Sequence, residues 1–577
     1  MLCLPIGKTG MAVLLLGLVM GCLSTAAGAE DETIRATMLK LADADAAVRV
    51  ETLTTLAKTR DSRIEAFFDA YRLGSLYLWN GRIVLCEEII EDDDFNQFAP
   101  LSDPLNREAL LKDGEPMVVP IGEVQEVIPN RKERKLAVKA KFLLRLFSPD
   151  REVRLSGVKK CGDPPGIADA MEPLREIAEQ DPDKKIRHVA RESLLLIQLN
   201  EARSNQDQED LLRLSTELGS MKSMRALSRL QDMLNELKEA GEGGDLALKQ
   251  TCVQSIETID RHQRAVDRFA GVFQGLSLGS VLILMALGLA ITFGLMGVIN
   301  MAHGEFMMIG AYATYEMQLL FMRLIDGGTL LPAAYDWYYV AAFPAAFFCA
   351  AFAGYLVEIL VVRHLYRRPL ESLLATWGVG LILIQMIRLQ YGDNIGVNAP
   401  QWARGGIEIM QDVILPYSRC FIIVLCVACV LLIYYLLART TIGLRMRATM
   451  QHRGIAKSLG VNTERVDRLT FAFGTGIAGI AGYGWTLIGG VTPDMGQKNF
   501  IVDSFLVVVT GGVGELMGVI CSGLGIGLLT KFLEPLHIGP FVVGAIWAKA
   551  LILIAIVAFI QFRPSGLFAP KGRLADV

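Results

Sequence analysis

Two hydrophobic patterns divide the chain. Residues 33–70, and again from about 135 to 268, place apolar residues at helical spacing among charged ones, which is typical of amphipathic helices in water. From residue 271 the pattern changes to long apolar stretches, most of them near the twenty or so residues that cross a bilayer. We therefore expect a mostly α chain, with a helical domain over 30–268 followed by a polytopic membrane helix bundle over 269–577.

One part of the first domain has an extended pattern instead. Two β-rich runs, Leu76–Trp79 and Arg82–Leu85, flank the dipeptide Asn80-Gly81, which is typical of a tight hairpin turn. Pro116–Pro120 reads as another short extended piece. We expect a small β insertion over about 72–125.

Three predicted helix starts in the first domain share one spacing, in which an arginine follows an aspartate by four positions. The pairs are Asp45 and Arg49, Asp150 and Arg154, and Asp183 and Arg187. The pattern resembles HEAT-type repeats, which stack helices and bind partners. The alternative is three ordinary helix N-termini with an acidic first turn. Neither interpretation provides catalytic chemistry.

The membrane half contains eight apolar stretches. They run roughly over 272–296, 304–322, 338–362, 372–389, 418–438, 469–489, 502–534 and 541–561. The 502–534 stretch is too long for one simple helix, and the glycine-rich segment Thr510–Glu515 interrupts it. Such a break is tolerated where protein or water covers the backbone. We expect eight or nine spans, one of them broken.

Charged residues predict the orientation. Arginines in 363–368 and seven Lys and Arg in 439–468 place both loops in the cytoplasm. Residues 1–29 read as a secretory signal peptide, with a short apolar run and the small-residue cleavage site Ala27–Ala29. An exported start and a cytoplasmic C terminus require an odd number of crossings, which favours nine. The expected location is a bacterial inner membrane, with the first domain in the periplasm.

The number of charged residues also differs between the two parts of the chain. Residues 269–577 carry 20 Lys and Arg and 16 Asp and Glu, whereas residues 1–268 carry 37 and 45. A half that poor in charge cannot cover a water-facing surface, so the lipid bilayer is its expected surrounding. The absence of a basic block argues against nucleic-acid binding.

Three cysteines lie in the part expected to be exported: Cys86, Cys161 and Cys252. An oxidising periplasm permits one disulfide between two of them and leaves at least one thiol unpaired. Their spacing does not select a pair.

Each candidate motif for enzyme chemistry lacks a feature that the chemistry requires. Gly474–Gly479 matches the dinucleotide fingerprint by letter, but it lies in an apolar stretch without the preceding strand. His303 and Glu305 lack the second histidine that zinc chemistry requires. The sequence contains no nucleotide-hydrolysing motif. We expect no catalytic residue, metal site or cofactor on this chain; if ATP drives it, another chain binds the ATP.

Two segments of the membrane half contain candidate functional residues. The junction Asn300–Glu305 places polar and ionisable groups between two apolar stretches, where such groups are costly and often mark a pathway; the alternative is a polar cytoplasmic turn. The segment 443–468 is basic and amphipathic, and Ala456 and Gly460 would let a short helix enter a groove on another protein. The alternative there is a solvated basic loop.

The same residues carry a family resemblance. Gly288–Phe306 resembles the first-span signature of branched-chain-amino-acid-type ABC permeases, and Phe562–Phe568 resembles their C-terminal signature. Segment 443–461 is similar to their ATPase-coupling loop: Ala456 and Gly460 match its motif, while glycine stands where the motif has glutamate. Three separated motifs in family order identify the region from about 270 to 570 as a member.

Finer features resemble the urea-type branch, the first of the two permease subunits of the urea ABC importer. They are the large exported extension and the segments Leu373–Gly378, Thr492–Gln497 and Ile501–Val509. The chain departs from the expected pattern at Glu515, where asparagine is expected. The resemblance implies an ATP-driven importer subunit for urea, with a second permease, two ATP-binding subunits and a periplasmic substrate-binding protein as partners.

A urea path requires hydrogen-bonding groups rather than fixed charge. Our candidates are Asn300, His303, Thr376, Gln385, Asp503 and Ser504, and our candidates for ATPase coupling are Arg447, Ala456 and Gly460. The nearest alternative is a permease for branched-chain amino acids or short amides. A passive urea channel and a membrane-tethered scaffold remain as further alternatives.

Overall fold

The computed structural model describes residues 31–91, 97–112, 115–239, 245–366, 368–410, 413–538, 541–542 and 544–568. The chain forms two compact units, Met1–Gln263 and Arg264–Val577. Helices dominate both, which confirms the mostly α prediction. The predicted signal peptide over 1–29 lies outside the described residues.

The first unit consists of consecutive helices with strands inserted after the third helix. Its helices are α1 (31–39), α2 (Ala46–Ala57), α3 (Glu65–Leu73), α4 (Arg131–Arg145), α5 (Arg151–Gly162), α6 (Met171–Gln180), α7 (Lys184–Asn205), α8 (Gln208–Ser220) and α9 (Leu227–Glu239). Helix α10 (Leu246–Met296) continues from this unit into the second. Separate apolar clusters between successive helices form the core.

The inserted strands are short and antiparallel. They are β1 (Leu76–Trp79), β2 (Arg82–Leu85), β3 (Ile90–Glu91), β4 (Gln97–Pro100), β5 (Leu111–Lys112), β6 (Glu115–Pro116), β7 (Val118–Pro120) and β8 (Gln125–Glu126). Strands β1 and β2 pair from Leu76 with Leu85 to Trp79 with Arg82. Asn80 and Gly81 both have positive φ, 46° and 72°, as a two-residue hairpin turn requires. The hairpin prediction is confirmed.

The aspartates of the repeated spacing are helix N-caps. The Asp45, Asp150 and Asp183 carboxylates accept hydrogen bonds from backbone N–H groups two residues on, at 2.8, 2.8 and 2.7 Å, which satisfies donors of the first helical turn. Arginines four positions later bond backward to carbonyls before each cap. This repeated geometry fits ordinary helix starts and HEAT-type layers alike, so the HEAT-like interpretation remains a prediction.

A buried carboxylate joins α2, α3 and α4. Glu133 is fully buried, and its carboxylate accepts hydrogen bonds from the Arg49 guanidinium (2.9 Å), the Tyr71 hydroxyl (3.1 Å) and the Asn130 backbone N–H (2.9 Å). A buried carboxylate is tolerated only when it is paired in this way. The side chain therefore fixes three helices at one point.

Replacing Glu133 with alanine is expected to destabilise the first unit by about 3–5 kcal/mol, because Arg49 and Tyr71 would lose their acceptor inside the core. The matched control is Glu176→Ala, which removes an exposed ion pair with Arg60 and should cost less than about 1 kcal/mol. Limited proteolysis of the full-length protein during heating would compare the two. Equal resistance would contradict the assigned role of Glu133.

Cys86, Cys161 and Cys252 of the first unit are buried free thiols, so the disulfide that the sequence permits among them does not form in this structure. Cys86, Cys161 and Cys252 belong to three different apolar clusters, which keeps them apart. Burial, followed by the nearby Asp163 carboxylate, raises the pKa of Cys161 to about 12. That thiol therefore stays protonated and unreactive at neutral pH.

The second unit contains the remaining helices and two small hairpins. The helices are α11 (His303–Asp326), α12 (Trp337–Leu360), α13 (Pro369–Tyr391), α14 (Tyr417–Arg439), α15 (Thr441–Gln451), α16 (Arg453–Ser458), α17 (Thr463–Trp485), α18 (Ile501–Gly511), α19 (Leu516–Leu533) and α20 (Gly544–Phe562). The hairpins pair β9 (Gly406–Met410) with β10 (Val413–Pro416), and β11 (His537–Ile538) with β12 (Phe541–Val542).

Six of the described helices are long and apolar enough to cross a membrane, judged by length and composition: α10, α12, α13, α14, α19 and α20. Helices α11 and α17, with 24 and 23 residues, are not among the six, and α18 has only 11 residues. The count of eight or nine spans therefore stays a prediction.

The predicted interruption of the 502–534 stretch is confirmed between α18 and α19. Gly512 adopts a φ of +104°, which glycine tolerates better than other residues. The chain end covers the break, because the Leu567 and Phe568 N–H groups donate to the Thr510 and Gly511 carbonyls at 2.8 and 3.3 Å. Carbonyls released by the break thus find partners in protein, as membrane depth requires.

Glycines allow the helices of the second unit to approach backbone to backbone. A Cβ placed on Gly279 would lie 3.0 Å from the Gly523 carbonyl oxygen, and one on Gly527 would lie 2.5 Å from Gly279 Cα. A Cβ on Gly474 would lie 2.7 Å from the Gly288 carbonyl oxygen. The Gly275–Gly279 and Gly523–Gly527 spacings and the Gly474–Gly479 segment therefore serve close helix packing.

Candidate functional site

The junction between α10 and α11 is a short non-helical segment inside the second unit. Helix α10 ends at Met296, Gly297 takes a φ of +66°, and α11 begins at His303. The fully buried Asn300 accepts a hydrogen bond from the Ala302 N–H (3.1 Å) through its side-chain oxygen. Its amide nitrogen has no partner among the described residues. Asn300 thus shapes the turn and retains one unused donor.

His303 points into the packed interior. Its Nε2 lies 3.0 Å from the Met285 carbonyl oxygen, which can only accept, so Nε2 carries the hydrogen. The ring lies against Gly288, where a Cβ would approach it to 3.0 Å. Within the described residues, His303 Nδ1 has no partner and presents an acceptor.

Thr376 and Glu305 connect the junction to α13. The Thr376 hydroxyl accepts from the Met301 N–H (3.0 Å) and donates to the Ser372 carbonyl (2.8 Å). The Glu305 side chain lies against Gly380, where a Cβ would come within 3.1 Å of its carboxyl carbon. Glu305 is 2% exposed, and its Oε2 has no partner among the described residues. Glu305 is absent from the candidates predicted from the sequence, although it follows His303 by two positions.

The other predicted path residues lie elsewhere. Gln385 is exposed on α13. Asp503 of α18 forms an ion pair with Lys549 of α20 at 3.3 Å. Ser504 is fully buried, with no partner for its hydroxyl among the described residues. Within the described residues, no hydrogen bond links Gln385, Asp503 or Ser504 to the junction. The structure brings together Asn300, His303 and Thr376, with Glu305 added.

The junction has both an unused hydrogen-bond donor group and unused hydrogen-bond acceptors. Asn300 offers a donor, whereas His303 Nδ1 and Glu305 Oε2 offer acceptors. Buried polar groups without partners are rare in native proteins and call for a physical explanation. His303 lies against Gly288 of α10, whereas Glu305 lies against Gly380 of α13, so the unused groups of the junction face different helices.

The predicted coupling residues lie on and beside α15 and α16. Arg447 is exposed on α15, Ala456 is buried in α16, and Gly460 ends α16 with a φ of +85°. Ile455 and Leu459 are exposed and four positions apart, so they lie on one side of this short segment. Exposed aliphatic side chains at helical spacing are typical of a helix that enters a groove on a partner.

Four residues that the sequence did not single out attach this segment to the helix bundle. The Arg453 guanidinium bonds the Asp467 carboxylate and lies over the Tyr366 ring, 5.4 Å from its centroid. The Tyr366 hydroxyl donates to the Glu358 carboxylate at 2.6 Å. The only local signal was the position of Arg453 directly before the motif, because its partners are distant in sequence.

Comparison with known proteins covers this whole region. The family model described as branched-chain amino acid transport system, permease component, matches residues 271–560, half of the chain. The chain belongs to this permease family. The match includes the junction, the coupling segment and the broken helix, and it leaves the first unit outside.

Individual relatives of this permease family agree. The high-affinity branched-chain amino acid transport system permease protein LivH of Escherichia coli is 31% identical over 268 residues, which cover 44% of this chain and 83% of LivH. The high-affinity branched-chain amino acid transport system permease protein BraD of Pseudomonas aeruginosa is 27% identical over 300 residues, which cover 51% of this chain and 93% of BraD. These relatives are named as transport permeases and not as enzymes. No solved structure matches the chain at a significant level.

Proposed function

We propose that the chain is the membrane permease subunit of an ATP-driven importer that takes up urea. Urea is small and neutral, with four N–H donors around one carbonyl acceptor. Its carbonyl suits the unused Asn300 amide, and its N–H groups suit His303 Nδ1 and Glu305 Oε2. This pairing of unused donors and acceptors at the junction is the observation that carries the substrate proposal.

The proposed path follows the junction. Asn300, His303 and Glu305 contact the substrate, and Thr376 holds the turn through the Met301 N–H. Ser504 remains a candidate through its buried hydroxyl, and Asp503 through its half-buried carboxylate beside Lys549. The exposed Gln385 contributes to a path only where a second permease subunit covers α13.

The proposed partners follow from membership of the permease family. A second permease completes the path, two ATP-binding subunits dock on Arg447, Ala456, Gly460 and their neighbours, and a periplasmic protein delivers substrate. The chain itself carries no cofactor in this proposal, because ATP binds to the partners. The first unit lies in the periplasm of a bacterial inner membrane and docks the substrate-binding protein through its helical layers.

Nine crossings fit this orientation. Gly275 and Gly279 of α10 pack against α19 at Leu528 and Gly523, in reverse order along the two helices, so α10 and α19 run in opposite directions. In this proposal the break at Gly512 separates two crossings, with α18 entering toward the cytoplasm and α19 returning. Helix α20 then brings the C terminus to the cytoplasmic side.

A branched-chain amino acid permease is the second candidate, and the similarity of this chain to LivH and BraD, which are named as permeases for branched-chain amino acids, favours it. Uptake of labelled urea at micromolar concentration separates the two. Cells with and without the gene, and cells lacking the partner ATPases, would be compared with leucine and acetamide as competitors. We expect urea uptake to require the gene and the ATPases and to resist leucine.

Other outcomes select the alternatives. Loss of leucine uptake with unchanged urea uptake would establish an amino acid permease, and competition by acetamide would broaden the substrate to short amides. Urea uptake that survives loss of the ATPases would indicate a passive channel. Unchanged uptake of all three substrates without the gene would leave the scaffold alternative.

A further inference from the structure

The Arg453 guanidinium is the point where the coupling segment meets the membrane helices. Arg453 is the first residue of α16, and its guanidinium bonds Asp467 in the second turn of α17. The Asp467 side chain is only 4% exposed. A carboxylate that deeply buried is strongly destabilised once its partner is removed. Water therefore cannot replace this contact without cost when α16 moves.

A second link starts from the same guanidinium. Its position over the Tyr366 ring is a cation–π contact, and the Tyr366 hydroxyl bonds Glu358 in the last turn of α12. Glu358 is almost completely buried. One arginine thus holds α16 to α17 directly and to α12 through an aromatic ring.

Helix α17 leads from this point to the junction. A Cβ on Gly474 would lie 2.7 Å from the Gly288 carbonyl oxygen of α10, and one on Gly482 would lie 1.9 Å from the Met307 carbonyl oxygen of α11. Gly288 is also the residue against which His303 lies. Backbones packed this closely cannot absorb a displacement, since protein interiors have low compressibility. Movement of α17 must therefore shift α10 and α11 around His303.

We propose that Arg453 and Asp467 form the joint through which the coupling segment moves α17, with Tyr366 and Glu358 as the residues that position the arginine. The inference rests on the proposed function, because it names the connection between ATP hydrolysis and the substrate path. These four residues are positioning residues, and none of them contacts the substrate.

A neighbouring ion pair provides the contrast. Arg363 and Glu464 pair at 2.8 Å and also tie the loop after α12 to the start of α17. Both side chains are about half exposed, at 44% and 55%, and exposed pairs contribute little because water screens and replaces them. Glu464 lies three residues from Asp467 on α17, so the two carboxylates form a matched pair for mutation.

The test uses the complete complex of both permeases and both ATPases in proteoliposomes that contain ATP, with the substrate-binding protein added outside. Urea uptake and ATP hydrolysis are measured together, and their ratio is the readout. Asp467→Asn and Arg453→Lys are expected to keep most of the ATP hydrolysis but to lower urea transported per ATP by about tenfold, the loss expected for one charge-assisted hydrogen bond. Tyr366→Phe keeps the ring and should lower the ratio less. Glu464→Gln should leave it unchanged.

Other results of this experiment would contradict either the role of Arg453 and Asp467 or the proposed urea importer function, and the two cases can be told apart. If the assembled Asp467→Asn and Arg453→Lys complexes transport as much urea per ATP as the wild type, the proposed role of Arg453 and Asp467 is wrong. The proposed importer function would be unaffected by that result. If Asp467→Asn does not assemble, the Arg453→Lys variant tests the proposal by itself. This variant is expected to assemble, because lysine keeps a cation beside the buried carboxylate. An equal loss in Glu464→Gln would also overturn the joint, since it would assign the effect to charge in general. Absence of ATP-dependent urea uptake by the wild type overturns the proposed function itself.

Discussion

Gly482→Ala is expected to destabilise the membrane unit by about 2 kcal/mol or more. The added Cβ would lie 1.9 Å from the Met307 carbonyl oxygen and 3.0 Å from the Ala311 nitrogen. Both are backbone atoms of α11, so no side chain can rotate away, and the two helices must separate. Overpacking of a well-packed interior typically costs about 1–3 kcal/mol, and this site is at the severe end because it contains only backbone.

The measurement is the melting temperature of the purified full chain in detergent. Gly378→Ala is the matched control, since Gly378 is also in a helix but has nothing within 4 Å of an added Cβ. It should be neutral or slightly stabilising, because alanine is the better helix former. Equal melting temperatures for the two variants would show that the α11–α17 contact tolerates a side chain.

Glu305→Gln is expected to lower urea uptake by about tenfold while the protein still assembles. Glutamine keeps the shape and one acceptor oxygen but replaces the second carboxyl oxygen by an NH2 group, which can only donate. A substrate N–H left without its acceptor costs about 1–3 kcal/mol, and about 1.4 kcal/mol is tenfold. Glu305→Leu removes both acceptors and should lower uptake further.

Initial rates of labelled urea uptake by the complete complex would check this prediction. Glu316→Gln is the control: it lies on the same helix, but its side chain is exposed. A Glu305→Gln variant that assembles and transports at the wild-type rate would remove Glu305 from the substrate path and leave Asn300 and His303 to carry it.

The sequence by itself indicated the apolar helices of the membrane unit, the first hairpin and the break in the long stretch. Apolar runs of spanning length coincide with helices α10 to α14, the Asn80-Gly81 turn forms its hairpin, and glycines near Gly512 break the long stretch. These features are local: they depend on the turn preferences of individual residues and on the length of an apolar run. A local signal can be read without knowing what packs against it.

Only the tertiary structure decided which side chains meet. Helix α13 is apolar on nearly all sides, so its sequence has no periodicity to show that Thr376 faces inward and Gln385 outward. The partners of His303 and Arg453 come from other helices, and burial in separate clusters keeps Cys86, Cys161 and Cys252 apart. Helix rotation and long-range pairing follow from packing of the whole unit, which no segment of the sequence encodes alone.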